Sequence, residues 1–241
     1  MDTLVGDEPV NWLAPPKVPV PAPVADIRTA APKVAAEPVR RPRPAMDSAP
    51  AASPAPLAPL AMPSEWTAFQ SWLSGDAAVP GTQWHPARVL PTGPVAAPLM
   101  VLALTPEIAD HEAGSLFAGD VGQLLDAMLR AIGLTRAQCY LASLALTRPP
   151  GGRIDGADLA ALTPLMWHHI RLARPKRLLL LGSDLTSLAG GTDLAAARGK
   201  LLNVNHDGVT VTAAAIQHPM LLLDRPARKA AAWDSLKLLR L

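Results

Sequence analysis

Chemistry in this chain is most readily placed near its end, at Gln217-His218-Pro219, followed by Arg225, Pro226, Lys229 and Trp233. A neutral imidazole donates one hydrogen bond and accepts another, and its charge changes near neutral pH. Pro219 disfavours the α region for the residue before it, so His218 is expected on an extended or turning backbone. The alternating run Val209-Thr210-Val211-Thr212 reads as a strand that ends just before this point. Open α/β sheets place their ligand sites at the carboxyl ends of strands, although a lone histidine there also serves as a plain structural residue. His168-His169 is a second imidazole pair. Successive helical residues point to different faces, and without a third ligand the pair reads as surface or core rather than metal site. Gly182-Ser183-Asp184 suits either a phosphate at a helix N-terminus or an ordinary cap.

These groups need a frame. Continuous or alternating apolar runs at 98–104, 138–144, 177–182 and 209–216 have strand length, and the first has the composition of a strand covered on both faces. Between them lie segments with helical spacing. Trp66, Phe69, Trp72 and Leu73 form one stripe, with Ser64 as expected N-cap and Gly75 as stop; Leu124, Leu125, Met128 and Leu129 mark a helix over 121–134. A long helix over 158–173 stops before Pro175, a short one follows over 183–189, and Ala232, Leu236 and Leu239 mark the last. Residues 76–96 and 105–119 read as loops, and 193–199 as a polar loop. Strands alternating with helices predict a three-layer, doubly wound α/β domain with a mainly parallel four-stranded sheet.

More than half of the 27 prolines fall before Ser64. Proline lacks a backbone donor and fixes φ, so 1–62 is expected to be a disordered Pro/Ala-rich tail and 63–241 the folded domain. Within the tail, Trp12-Leu13 is either a peptide anchor for a protein partner or an incidental pair, and Arg40-Arg41-Pro42-Arg43 either touches phosphates or is solvated. A net charge of +2 permits an anionic partner without demanding one. The one cysteine, Cys139, excludes an internal disulfide framework, and the absence of a signal-like start or a long apolar run predicts a cytoplasmic protein with no membrane contact.

Three blocks together resemble the uracil-DNA glycosylase superfamily, most closely its family 4. The first is Ala103-Leu104-Thr105-Pro106-Glu107 with Gly114-Ser115-Leu116-Phe117-Ala118-Gly119-Asp120-Val121-Gly122-Gln123-Leu124-Leu125. The second is Tyr140-Leu141-Ala142-Ser143 with Arg148-Pro149-Pro150-Gly151-Gly152-Arg153, and the third is His218-Pro219-Met220-Leu221-Leu222-Leu223 with Pro226, Lys229 and Trp233-Asp234. The resemblance implies an enzyme that flips a nucleotide from the stack and hydrolyses its glycosidic bond. It assigns base stacking to Phe117, donation to the departing base oxygen to His218, and DNA contacts to Arg148, Arg153 and Arg225.

The departures from the family pattern carry as much information. Leu104 stands where the family has a carboxylic acid that orients water or steadies the sugar cation, and Ser143 where it has the asparagine that reads the uracil edge. One hydroxyl cannot make the paired donor and acceptor contact of an amide. Glu107, Asp110, His111 and Glu112 lie in the same loop as Leu104, either as substitutes for the acid or as solvated charges. The cysteines of the family's iron-sulfur cluster are absent, with Thr147 and Leu162 near two of their places, so no cofactor is expected. The resulting expectation is a DNA-associated repair or replication protein with weak or no ordinary uracil excision; the alternative is an active, diverged glycosylase for uracil or another deaminated base.

Overall fold

A computed structural model describes residues 60–240. The Trp12 segment and Arg40-Arg41-Pro42-Arg43 lie outside the described residues. Five strands, β1 (Leu99–Ala103), β2 (Cys139–Ser143), β3 (Arg177–Leu181), β4 (Leu202–His206) and β5 (Val209–Ile216), form one sheet in the order β2-β1-β3-β5-β4. The four expected strands run parallel, and β4 pairs antiparallel with β5. The helices are α1 (Trp66–Gly75), α2 (Ile108–Ala113), α3 (Gly119–Ala131), α4 (Gly156–Ala173), α5 (Ser183–Gly190), α6 (Leu194–Ala197), α7 (Pro219–Asp224) and α8 (Lys229–Leu236).

Side chains alternate across each strand, so every strand feeds two cores. Met100, Leu102, Tyr140, Leu178 and Leu180 face α1 and α4 through Phe69, Leu73, Leu162 and Met166. Leu99, Val101, Leu141, Leu179 and Ile216 face α3 and α8 through Leu125, Leu129, Ala232 and Leu236. This is the three-layer arrangement implied by apolar runs without alternation. His168 and His169 belong to the core: the Tyr140 hydroxyl and His169 Nε2 share a hydrogen bond at 2.7 Å, and His168 Nε2 donates to the Pro63 carbonyl at 2.7 Å.

The fifth strand corrects the expected count of four. β4 is a short edge strand on which only Val204 is fully buried, so its apolar signal is faint. Its signature is the turn: Asp207 and Gly208 both have positive φ, 46° and 79°, which suits a two-residue hairpin of type I′. The 105–119 segment likewise holds a helix, α2, where a loop was expected. α1 begins one residue later than a Ser64 cap implies, with Glu65 at the cap position and no side-chain cap bond.

The register brings the strand ends to one edge. Ala103 pairs with Ser143, and Leu181 with Ile216, so the residues that follow β1, β3 and β5 leave the sheet on the same side as the end of β2. Leu104, Ser143, Gly182 and Gln217 thereby collect at the carboxyl edge. That is the edge on which an open parallel sheet binds ligands.

Candidate active site

A cavity of about 870 Å³ opens at this edge, lined by Leu104, Thr105, Glu107, Arg148, Gly182, Ser183, Asp184, Arg198, Gln217, His218 and Arg228, among others. His218 is the residue before α7 and has φ −55° and ψ 137°, the extended backbone that Pro219 dictates. Its Nδ1 accepts from the Met220 N–H at 3.4 Å. That bond places the ring proton on Nε2. Burial pushes the imidazole pKa down to about 4, with the nearby Asp110 opposing the shift and Arg148 adding to it. At neutral pH His218 is therefore an uncharged Nε2–H donor, and its 3.8 Å approach to Glu107 Oε1 is not an ion pair.

Glu107 is held from the other side. Arg148 Nη1 pairs with Glu107 Oε2 at 2.9 Å and also donates to the Pro106 carbonyl at 3.1 Å. Burial raises the Glu107 pKa; Arg148 works against that shift and Asp110 adds to it. The guanidinium lies flat against Gly152, where a Cβ would sit 2.7 Å from Nη2. Gly152 has φ +71°, so a side chain there is disfavoured on two counts.

Asp110 ties this loop to the one that carries Phe117. Its Oδ2 accepts from the Glu107 N–H at 2.9 Å and its Oδ1 from the Ala118 N–H at 2.7 Å, while the residue is 2% exposed. Asp110→Ala leaves both amides without their acceptor. Each charge-assisted bond of this kind is worth about 2 kcal/mol, so a loss of about 3 to 4 kcal/mol in urea unfolding is expected. An unchanged midpoint would show that the carboxylate does not hold the two loops.

Phe117 itself has φ +57°, a backbone state uncommon for a bulky residue. Arg136 secures it by donating to the carbonyls of Leu116 and Phe117, both at 3.1 Å. Gly122 is required there, because a Cβ on it would lie 1.8 Å from the Phe117 carbonyl oxygen. The Phe117 and His218 rings stand 6.4 Å apart at 30°, yet Phe117 is 2% exposed.

These observations bring Glu107, Arg148, Phe117 and His218 together. A strand-end histidine that donates, a facing aromatic ring and a cavity at the parallel edge occur in one arrangement, and residues 90–237 match the family model described as Uracil DNA glycosylase superfamily. The chain belongs to the uracil-DNA glycosylase superfamily. It is 29% identical over 136 residues to a Type-4 uracil-DNA glycosylase of Pyrobaculum aerophilum, covering 54% of this chain and 69% of that one. It is 28% identical over 120 residues to a Type-4 uracil-DNA glycosylase of Archaeoglobus fulgidus, covering 47% of this chain and 60% of that one.

Against the superfamily pattern, Leu104 lines the cavity as a partly buried side chain, and it brings no charge. Ser143 is 1% exposed, and its Oγ is buried with no hydrogen-bond partner. The cluster of family 4 does not fit the residues present. The Thr147 hydroxyl donates to the Gly81 carbonyl, Leu162 is fully buried in the core, and neither side chain offers a thiolate. Of the loop residues near Leu104, Glu107 faces the cavity, Asp110 is taken up by backbone amides, His111 packs against His85 at 4.2 Å, and Glu112 is exposed.

The three arginines assigned to DNA separate. Arg153 and Arg225 are exposed, whereas Arg148 turns inward to Glu107. Arg228 enters the cavity lining without having been anticipated. Its clue was the basic spacing of Arg225, Arg228 and Lys229 just after the His-Pro pair. Among the described residues no helix is long and apolar enough to cross a membrane.

Proposed function

We propose that this member of the superfamily binds DNA at the cavity edge and carries weak or no ordinary uracil excision. The observation that supports this most is Leu104 at the cavity wall, together with a buried serine, Ser143, where the family pattern has an amide. A glycosylase must stabilise the anion leaving on the base and the cation forming on the sugar. His218 meets the first need: a neutral Nε2–H aimed at a developing oxyanion contributes roughly 3 kcal/mol. Leucine meets none of the second. The exposed Arg153 and Arg225 are suited to phosphates, which position a duplex or single strand without reading sequence. The Pro/Ala-rich segment 1–62 serves in this reading as a tether that lets Trp12 reach a replication or repair protein.

The second reading, an active diverged glycosylase, is favoured by Glu107, a carboxylate inside the same cavity. One experiment separates the two. Single-turnover excision, with protein in excess over labelled uracil oligonucleotides, is expected to yield little or no product from the full chain, and His218→Ala should remove whatever product forms. Rapid cleavage by the unmodified chain would overturn the first reading. Residual cleavage that survives unchanged in His218→Ala would overturn the role given to His218.

A further inference from the structure

Glu107 is the cavity group whose chemistry is least used by the reading above. We propose that Glu107 and His218 form a paired reader of the nucleobase edge, with His218 Nε2–H donating to a ring carbonyl and the Glu107 carboxylate accepting from the adjacent ring N–H. This inference rests on the reading that the cavity receives a DNA base.

The geometry supports a division of labour between the two carboxylate oxygens. Arg148 Nη1 holds Oε2 at 2.9 Å, while Oε1 stands 3.8 Å from His218 Nδ1, beyond hydrogen-bond reach of it. The Met220 amide occupies Nδ1, which leaves Nε2 as the free donor on the same ring. A donor and an acceptor thus both line one cavity of about 870 Å³, ample for a base. Arg148 is fixed in turn by the Pro106 carbonyl and by the space at Gly152, so the carboxylate is presented on a braced loop rather than a free one. Ser143, whose place in the family pattern belongs to the reading amide, is sealed from solvent. The reading function has moved from the end of β2 to the loop after β1.

A neighbouring N–H and C=O is the lactam edge. Deamination creates that edge: cytosine offers a bare ring nitrogen and an amino group, and uracil an N–H and a carbonyl; adenine and hypoxanthine differ in the same way. A carboxylate facing a bare ring nitrogen sets acceptor against acceptor. A buried polar group without its partner costs about 1 to 3 kcal/mol, so discrimination between parent and deaminated base is expected to be about tenfold or more. Thymine and guanine also carry the lactam edge, so the pair distinguishes a base from its own deamination product rather than damage in general.

The test is equilibrium binding of the full chain to labelled single-stranded oligonucleotides that differ at one central position. The pairs are cytosine against uracil and adenine against hypoxanthine, all on 2′-fluorinated nucleotides that resist cleavage, with an abasic analogue as reference. The unmodified chain should bind each deaminated base about tenfold more tightly than its parent. Glu107→Gln keeps an oxygen for Arg148 only by turning its amino group to the base, which donates where the carboxylate accepted, so both ratios should fall to about twofold or less. Affinity for the abasic analogue should change far less than either ratio, and thermal unfolding should remain cooperative. Equal ratios in Glu107→Gln and the unmodified chain would overturn the proposal. Binding of every oligonucleotide with no preference would also overturn it while sparing the DNA reading, whereas no binding to any of them would remove both.

Discussion

Acidification from pH 6.5 to 4 should destabilise the folded chain by several kcal/mol, and His169 should account for a large share. His169 is enclosed by Phe69, Trp66 and Tyr140, and burial, with a smaller contribution from His168, pushes its pKa down to about 3. His218 is pushed down to about 4, also chiefly by burial. Both imidazoles are neutral when folded and take up a proton near pH 6.5 when unfolded, so the unfolded state binds more protons between those limits. Stability therefore rises with pH in this window and is lost as pH falls from 6.5 towards 4 for His218 and towards 3 for His169. At about 1.4 kcal/mol per pKa unit, each group contributes on the order of 3 kcal/mol. Glu107, with its raised pKa, has the opposite sign and partly offsets the loss at the acid end.

Urea unfolding of the full chain and of His169→Gln across this range measures the first contribution directly. Glutamine can still hydrogen-bond the Tyr140 hydroxyl but cannot be protonated. The variant is expected to start less stable at pH 7, from imperfect packing, and to lose much less on acidification. Parallel stability curves for the two proteins would show that His169 does not titrate with folding.

A carboxylate at position 104 should raise single-turnover uracil excision about a hundredfold. The side chain at 104 follows β1 directly, lines the cavity with His218 and is only partly buried, so glutamate there has access to solvent on one side. A charge placed to steady a sugar cation is worth about 3 kcal/mol, which is a little over two decades in rate. Adding Ser143→Asn to Leu104→Glu should increase the rate further by supplying an edge-reading amide. That second change enters a site 1% exposed, where extra volume costs about 1 to 3 kcal/mol, so thermal unfolding must accompany the rate. If Leu104→Glu excises no faster than the His218→Ala background, the absent acid is not what limits this site.

The strands were legible because their signal is local. Each strand buried on both faces shows as an unbroken apolar run, and β1, β2, β3 and β5 all appear where such runs or alternations fall. β4 was less legible: in Leu202-Asn203-Val204-Asn205-His206 only Val204 is fully buried, and the element gains its structure by pairing with β5. α2 was hidden for a similar reason. Its six residues are too few to propagate a helix alone, and the Asp110 bonds to Glu107 and Ala118 hold it in place.

By itself the sequence determined the layered sheet, the extended backbone of His218 and the side chains absent from the site, since Leu104 and Ser143 can be read from their types alone. Those are properties of single residues and short windows: an apolar period, a proline after a histidine, a missing carboxylate or amide. Only the tertiary structure decided how the remaining groups are used. Arg148 and Glu107 are 41 positions apart in the chain, and the loops after β1 and β2 must meet before one can neutralise the other. The neutral state of His218 likewise depends on burial and on the charges around it, and its tautomer on the amide of Met220. Charge, protonation and exposure are set by neighbours in space, and the register of the parallel strands is what makes these residues neighbours.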